Sequence, residues 1–430
     1  MKKLLALVAF CGLTVAASAQ KYVGGDISLL PSYETAGAQY YDPSGNPIDS
    51  PLDSPLDFFA QEGMNAMRVR LFVNPDNAPE EAKGQGVRQN IDYILPLAKA
   101  IKAKGMRLLL DFHYSDTWAD PSNQWTPAAW QGLGDDALAD SVAGYTRRVL
   151  QRLADEGASP DFIQPGNEVS YGLLWGSKAD GYGKACYPDA ARSNWQRFAT
   201  LLSKAIGACR ATCPEAKIVL HTERVSLTQQ ADNANYAALL KFVDYMTEFG
   251  IDYDIIGLSY YPYFHGALTE LEGAIARLET ACPDKDLMLV ETGYPYAWAV
   301  PGTTYDATAA YPYTAEGQRQ FAEDLVAMLN GHDRVKGLFW WWMEANEYGI
   351  DWTSAVTDSW YNAPLFDNRD GRATPALGCL RRFVEGQTGV SSVAVSEQQP
   401  SAPVFSIDGK RLAAEPTHGM WVTQGQKKVR

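Results

Sequence analysis

Two glutamates in this chain each follow directly on a short apolar run. In Asp161-Phe162-Ile163-Gln164-Pro165-Gly166-Asn167-Glu168 the run meets a Pro-Gly break and then presents an amide and a carboxyl side by side. In Asp286-Leu287-Met288-Leu289-Val290-Glu291-Thr292-Gly293-Tyr294 a second apolar run ends in Glu291. Runs of this length and character read as buried strands. Two carboxyls at the ends of two strands of one sheet can flank a glycosidic bond, one giving a proton to the leaving oxygen and the other attacking the sugar. An amide beside the first carboxyl can hydrogen-bond a sugar hydroxyl. Either acid alone is equally well explained as a solvated strand end; the pair within one architecture is not.

The elements that must position these two acids alternate along the chain. Strands are expected near Tyr22–Pro31, Met64–Val73, Met106–His113, Asp161–Glu168, Ala216–Glu223, Asp254–Pro262, Asp286–Glu291 and Val335–Met343. Amphipathic helices are expected between them, for example over Asn90–Lys104, Asp135–Glu156, Asp189–Cys209, Asn233–Phe249, Leu268–Thr280 and Thr314–Asn330. Nearly continuous apolar strands alternating with helices imply a parallel sheet with both faces covered, and eight repeats imply a closed (β/α)₈ TIM barrel. Catalytic groups in such barrels sit at the C-terminal strand ends. Arg68 and Arg70, Asp111 and His113, Asn167 and Glu168, Tyr260 and Tyr261, Glu291, and Trp340–Trp342 all fall late in their strands.

Length and composition fit one large domain with an appendage. A net charge of −14 argues against attraction to nucleic acid or an anionic membrane. Lys2 and Lys3 precede an apolar run over Leu4–Val15 and a small-residue site at Ala17-Ser18-Ala19, so residues 1–19 read as a signal peptide. Export to the periplasm, cell surface or medium is therefore expected. Phe10 before Cys11 fits lipidation poorly, and no segment is long and apolar enough to span a bilayer. The five later cysteines, Cys186, Cys209, Cys213, Cys282 and Cys379, are odd in number and lack zinc-site spacing. An exported chain can form a disulfide, with Cys186 or Cys282 and one of the Cys209/Cys213 pair among the options. Residues 20–384 read as the catalytic domain, 385–402 as a linker, and 403–430 as a short β-rich tail of two strands, too small to be an independent domain.

Several motifs are long enough to name a family. These are Gly25-Asp26-Ile27-Ser28, Met67–Pro75, Leu110–Pro121, Gly166-Asn167-Glu168 with Gly172–Trp175, Asp252–Tyr263 and Glu291–Tyr294. From about Tyr22 to Phe383 the chain resembles the arabinogalactan endo-β-1,4-galactanases, glycoside hydrolase family 53. The resemblance implies a (β/α)₈ fold and retaining endo-cleavage of β-1,4-galactan, the side chain of pectic arabinogalactan. It assigns Glu168 as acid/base and Glu291 as nucleophile. Glu168 then needs a raised pKa, while Glu291 needs a cation to keep it ionised, with Arg68 or Arg70 well placed to supply one. A retaining pair is expected about 5–5.5 Å apart.

Asn167 is expected on the sugar 2-hydroxyl. Arg68, Arg70, Asp111, His113, Asp116, Tyr261, Tyr263 and His265 are expected around the cleft, with Trp118, Trp175 and Trp341 as stacking platforms. Core packing explains each tryptophan, and a structural hydrogen bond each histidine, about as well. Two departures stand out. Where the family often has Tyr-Trp-Glu-Pro, this chain reads Trp340-Trp341-Trp342-Met343-Glu344. The stretch Tyr296–Tyr313 has Asp306 as its only acid, so no calcium site is expected there; no other metal or cofactor is expected either, and the chain is expected to be a monomer. Related barrels cutting β-1,4-mannan or glucan, and a non-catalytic polysaccharide binder, are the competing readings. The binder would be expected to lack one of the two carboxyls.

Overall fold

A computed structural model describes residues 20–48, 53–187, 190–226, 237–351, 353, 355–357 and 362–385, together with four short stretches of the tail. The expected signal peptide, and the expected linker beyond Glu385, lie outside the described residues. Eight strands close a parallel barrel: β1 (Tyr22–Asp26), β2 (Ala66–Leu71), β3 (Arg107–Phe112), β4 (Phe162–Pro165), β5 (Lys217–Thr222), β6 (Ile255–Tyr260), β7 (Asp286–Thr292) and β8 (Val335–Trp340). Each strand pairs with its sequence neighbours, and β1 closes the ring on β8. The expected strands are all present; seven are shorter than their apolar runs, and β7 runs one residue further, to Thr292.

Helices return the chain on the outside. Ile91–Ala103 starts at Asn90, whose side chain accepts a bond from the Tyr93 N–H and so satisfies one of the helix's free amides. Asp135–Asp155, Arg192–Thr212, Ala237–Glu248, Leu268–Ala281 and Ala315–Asn330 complete the principal outer layer among the described residues. Sequence periodicity missed the short helix Leu30–Ala36 and the helical turns Pro375–Leu380 and Arg382–Glu385, which are too brief to show a period. The loop after β1 also carries a two-residue hairpin, Tyr40–Tyr41 with Pro47–Ile48.

The period of two along each strand sorts the barrel interior into levels. Ala66, Leu109, Phe162, Val219, Ile255, Met288, Val290 and Phe339 form one buried apolar cluster inside the N-terminal half. Two residues further along, the same faces carry Arg68, Asp111, Gln164 and His221, all fully buried. Intervening residues such as Leu108, Leu110, Ile218, Leu220 and Ile256 pack outward in the main core under the helices. Between Leu258 and Ser259 the β6–β7 register shifts: Leu258 pairs with Leu289 but Ser259 pairs with Glu291. Val290 is thus accommodated as a bulge, and bulges re-aim side chains.

Residues 388–430 form a separate compact unit. Val404–Ser406, Arg411–Leu412, Met420–Thr423 and Gln426–Val429 pair as a four-stranded antiparallel sheet, two strands more than the apolar pattern suggests. The five cysteines from Cys186 to Cys379 are free and buried, so the disulfide that the sequence allows is not formed, and they pack as small apolar side chains. No helix among the described residues is long and apolar enough to cross a membrane.

Candidate active site

The floor of the barrel mouth is a buried charge network centred on Arg68. Its Nη1 lies 3.3 Å from Asp26 Oδ2, and its Nη2 lies 2.8 Å from Asp111 Oδ2 and 2.8 Å from Glu291 Oε1. The same Nη2 donates to Asn167 Oδ1 at 2.9 Å. Burial alone weakens a guanidinium's hold on its proton, but the carboxylates of Asp111, Glu291 and Asp26 outweigh it and raise the Arg68 pKa. Burial likewise works against the charge on Asp111, yet Arg68 and His113 hold its carboxyl below the usual range.

Arg70, two residues on, points at other partners. It pairs with Asp26 Oδ1 at 2.5 Å, and its guanidinium lies 4.9 Å from the Trp341 ring, 5.1 Å from Trp118 and 5.5 Å from Trp342. Only Arg68 supplies the cation expected beside Glu291. Arg70 instead underpins the tryptophans through cation–π contact.

Glu168 is built differently. The Pro165-Gly166 break ends β4, Gly166 takes φ +105°, and Glu168 itself adopts a left-handed conformation at φ 47°, which is strained for a residue with a Cβ. His221, inward from β5, stabilises that turn: its Nδ1 accepts the Glu168 N–H at 3.1 Å. A backbone N–H can only donate, so Nδ1 is unprotonated and Nε2–H faces Ser259 Oγ at 2.8 Å. Burial, reinforced by Arg68, keeps the imidazole neutral by pushing its pKa well below the usual value. The Ser259 hydroxyl in turn hydrogen-bonds the Glu168 carboxyl. Burial and the negative charges of Glu291 and Glu223 nevertheless push the Glu168 pKa well above its usual value, against that one bond.

Glu291 feels burial too, and its pKa is raised, but Arg68 and a 3.0 Å hydrogen bond from the Tyr261 hydroxyl oppose the rise. The bulge at Val290 places this carboxyl opposite Ser259. Both glutamates line one cavity of about 380 Å³, walled by His113, Trp118, Asn167, Tyr261, Tyr263, His265 and Trp341. Asn167 Nδ2 donates to Ala119 O at 2.8 Å, fixing the amide. His113 Nδ1 accepts the Ala119 N–H and its Nε2 lies 3.1 Å from Asp111 Oδ2. His265 Nδ1 accepts the Tyr261 N–H, and burial lowers its pKa to about 4.

Five expected cleft residues do not line the cavity. Trp175 is fully buried, edge-on to Trp125, with Nε1 donating to Tyr171 O; it props a loop and has no face to offer a sugar. The Asp116 carboxylate is occupied by Asn74 N–H, Asn77 Nδ2 and Ala128 N–H, so it ties two loops together. Asp111, Arg68 and Arg70 lie beneath the cavity wall, fully buried. Conversely, Asp120, Glu223 and Phe264 line the cavity without having been singled out. Glu223 was findable, because it continues the inward period of Val219 and His221 one residue past the end of β5. Trp342, at the position where the family often has an acid, takes φ 47° and stacks on Trp341 at an interplanar angle of 14°. Among the described residues no group of three or more His, Cys, Asp or Glu side chains is placed to hold a metal ion.

Known proteins share this sequence pattern and fold. A probable arabinogalactan endo-β-1,4-galactanase A of Aspergillus terreus is 34% identical over 341 residues, 76% of this chain and 87% of the relative. A family 53 catalytic domain of Ignisphaera aggregans superposes with a TM-score of 0.69 at 30% identity, covering 85% of this chain and 96% of that one. A fungal β-1,4-galactanase gives 0.65 at 28% identity, covering 85% and 100%. Residues 22–380 match glycosyl hydrolase family 53, and the chain belongs to that family.

Proposed function

We propose that the chain hydrolyses internal β-1,4-galactosidic bonds of galactan with retention of configuration, Glu168 acting as acid/base and Glu291 as nucleophile. The observation that carries this reading is the unequal surroundings of two carboxyls in one cavity. Glu168 has acidic neighbours, Glu291 and Glu223, and no cation pairs with its carboxyl among the contacts described above; it holds a proton to give to the leaving oxygen. Glu291 has Arg68 at 2.8 Å and the Tyr261 hydroxyl at 3.0 Å; it is the carboxyl able to attack as an anion.

Once the covalent galactosyl-enzyme has formed, Glu168 is a carboxylate and takes a proton from the incoming water. Asn167, fixed by Ala119 and Arg68, is positioned for the 2-hydroxyl of the sugar being cleaved. Trp118 and Trp341 are the two expected platforms that line the cavity. The names of the galactanase relatives support galactan as substrate. Arabinogalactan side chains of pectin, met after export, are its source in this reading.

The test is digestion of purified β-1,4-galactan beside mannan, xylan and cellulose, with products sized over time. Rapid shortening of galactan alone into mixed oligosaccharides, with the β-anomer formed first by NMR, is the expected result. Cleavage of another polymer with galactan intact would overturn the substrate, and an α-anomer first product would overturn retention.

A further inference from the structure

A third carboxyl shares the cavity. Glu223 follows directly on β5, is buried, and lines the same cavity as Glu168 and Glu291. Its Oε2 accepts a bond from Ser170 Oγ at 2.8 Å, and Ser170 is braced by Thr222 Oγ1 at 2.6 Å. Its Oε1 stands 3.5 Å from Arg224 Nε. A carboxylate offers about four acceptor sites, so the bonds from Ser170 and from its own backbone N–H leave capacity for a ligand hydroxyl at the cavity wall. A buried acid held on one side by a serine, with its other oxygen near an arginine, is costly to keep unless its charge is used.

Its position selects a side of the bond. β5 is the neighbour of β4, which carries Glu168, whereas Glu291 stands two strands further round. Glu223 acts electrostatically on Glu168, while the charges felt by Glu291 come chiefly from Arg68, Asp111 and Asp26. We propose that Glu223 binds and positions the leaving sugar, its carboxylate accepting a hydrogen bond from a hydroxyl of the galactosyl unit that departs with the Glu168 proton. This rests on the assignment of Glu168 as the acid. It makes Glu223 both a specificity residue for the leaving side and a source of the field around Glu168. That carboxyl is faced by Glu291 after the β7 bulge, Glu223 after β5, Asp120 from the loop after β3 and Ser259 on β6.

The experiment compares the full chain with its E223Q and E223A variants on β-1,4-galactan and on a dinitrophenyl β-galactobioside. The aryl substrate has no leaving sugar and needs no proton. Loss of a hydrogen bond to a charged group should lower kcat/KM on galactan by about 10- to 100-fold, with the aryl substrate changed by less than about threefold. Near-normal aryl hydrolysis also reports an intact fold. In E223Q one negative charge facing Glu168 is gone, so the alkaline limb of the galactan profile should move to lower pH, which a purely structural role would not do. Equal losses on both substrates, or an unchanged galactan rate, overturn the proposal. The underlying reading is tested separately: if Glu168→Ala keeps its galactan rate, Glu168 is not the acid and the role of Glu223 falls with it.

Discussion

Glu291 stands opposite Ser259 in the β6–β7 ladder because the register slips by one residue at Val290. Met288 and Val290 both point into the apolar cluster inside the barrel, so strict alternation would turn Glu291 toward the helices. The bulge brings the carboxyl back to the mouth, within reach of Arg68 and Tyr261. Ser259 meanwhile serves the other glutamate, through His221. One irregular position thus gives the two acids separate and unequal partners.

Removing either acid should reveal that inequality. In the proposed mechanism Glu291→Ala leaves no nucleophile, and at least about a thousandfold loss in kcat is expected on galactan and on activated aryl substrates alike. Glu168→Ala should lose a similar factor on galactan but far less on an aryl substrate whose leaving group needs no proton. Steady-state kinetics on both substrates checks this, and identical losses on both for Glu168→Ala would count against its role as acid.

The pH profile of kcat/KM follows from the same contacts. The proposed mechanism needs Glu291 ionised and Glu168 protonated, so the acid limb reports the first and the alkaline limb the second. Burial raises both, placing both limbs above the ordinary glutamate value. Tyr261→Phe removes a donor to the Glu291 carboxylate, which destabilises the charged form. The acid limb should therefore shift to higher pH while the alkaline limb stays nearly in place. A profile displaced as a whole, or not displaced, would contradict the assignment.

Arg68 also carries stability. Its guanidinium faces Asp26, Asp111 and Glu291 with no exposed surface. Replacing it by Met leaves Asp111 and Glu291 buried without their guanidinium and Asp26 with Arg70 alone, a cost of about 3–5 kcal/mol. Urea denaturation should show the loss, and Arg68→Lys should recover only part of it, because a single ammonium cannot reach three carboxylates in the way a planar fork does.

Much of this site was legible before any coordinates. Strand count followed from apolar runs, and the placing of Arg68, His113, Asn167 and Tyr261 followed from their late positions in those runs. What failed did so for identifiable reasons. Trp175 and Trp118 are alike in sequence, and only the fold of the loop after β4 decides that Trp175 is walled in by Trp125 and Tyr182. Arg68 and Arg70 share a strand face, yet the level inside the barrel decides which reaches Glu291 and which lies under Trp341. The bulge at Val290 has no signature in an unbroken apolar run. Glu223 did carry one, two residues beyond His221, but a lone acid after a strand reads as solvated.

His265 predicts a pH dependence of stability rather than of rate. Burial lowers its pKa to about 4 in the fold, against about 6.5 in an unfolded chain. Between those values the unfolded state binds a proton that the native state does not, so stability falls as pH drops below about 6.5 and this contribution stops changing below about 4. The difference amounts to roughly 3 kcal/mol. Glu168, Glu223 and Glu291 work in the opposite sense, since their raised values make the fold bind protons the unfolded chain has released. His265→Gln should therefore flatten the acid side of the stability curve, measured by urea denaturation at pH 7 and near pH 4, even if the lost bond to the Tyr261 N–H lowers stability at both. An unchanged difference between the two pH values would show that His265 is not the group being titrated.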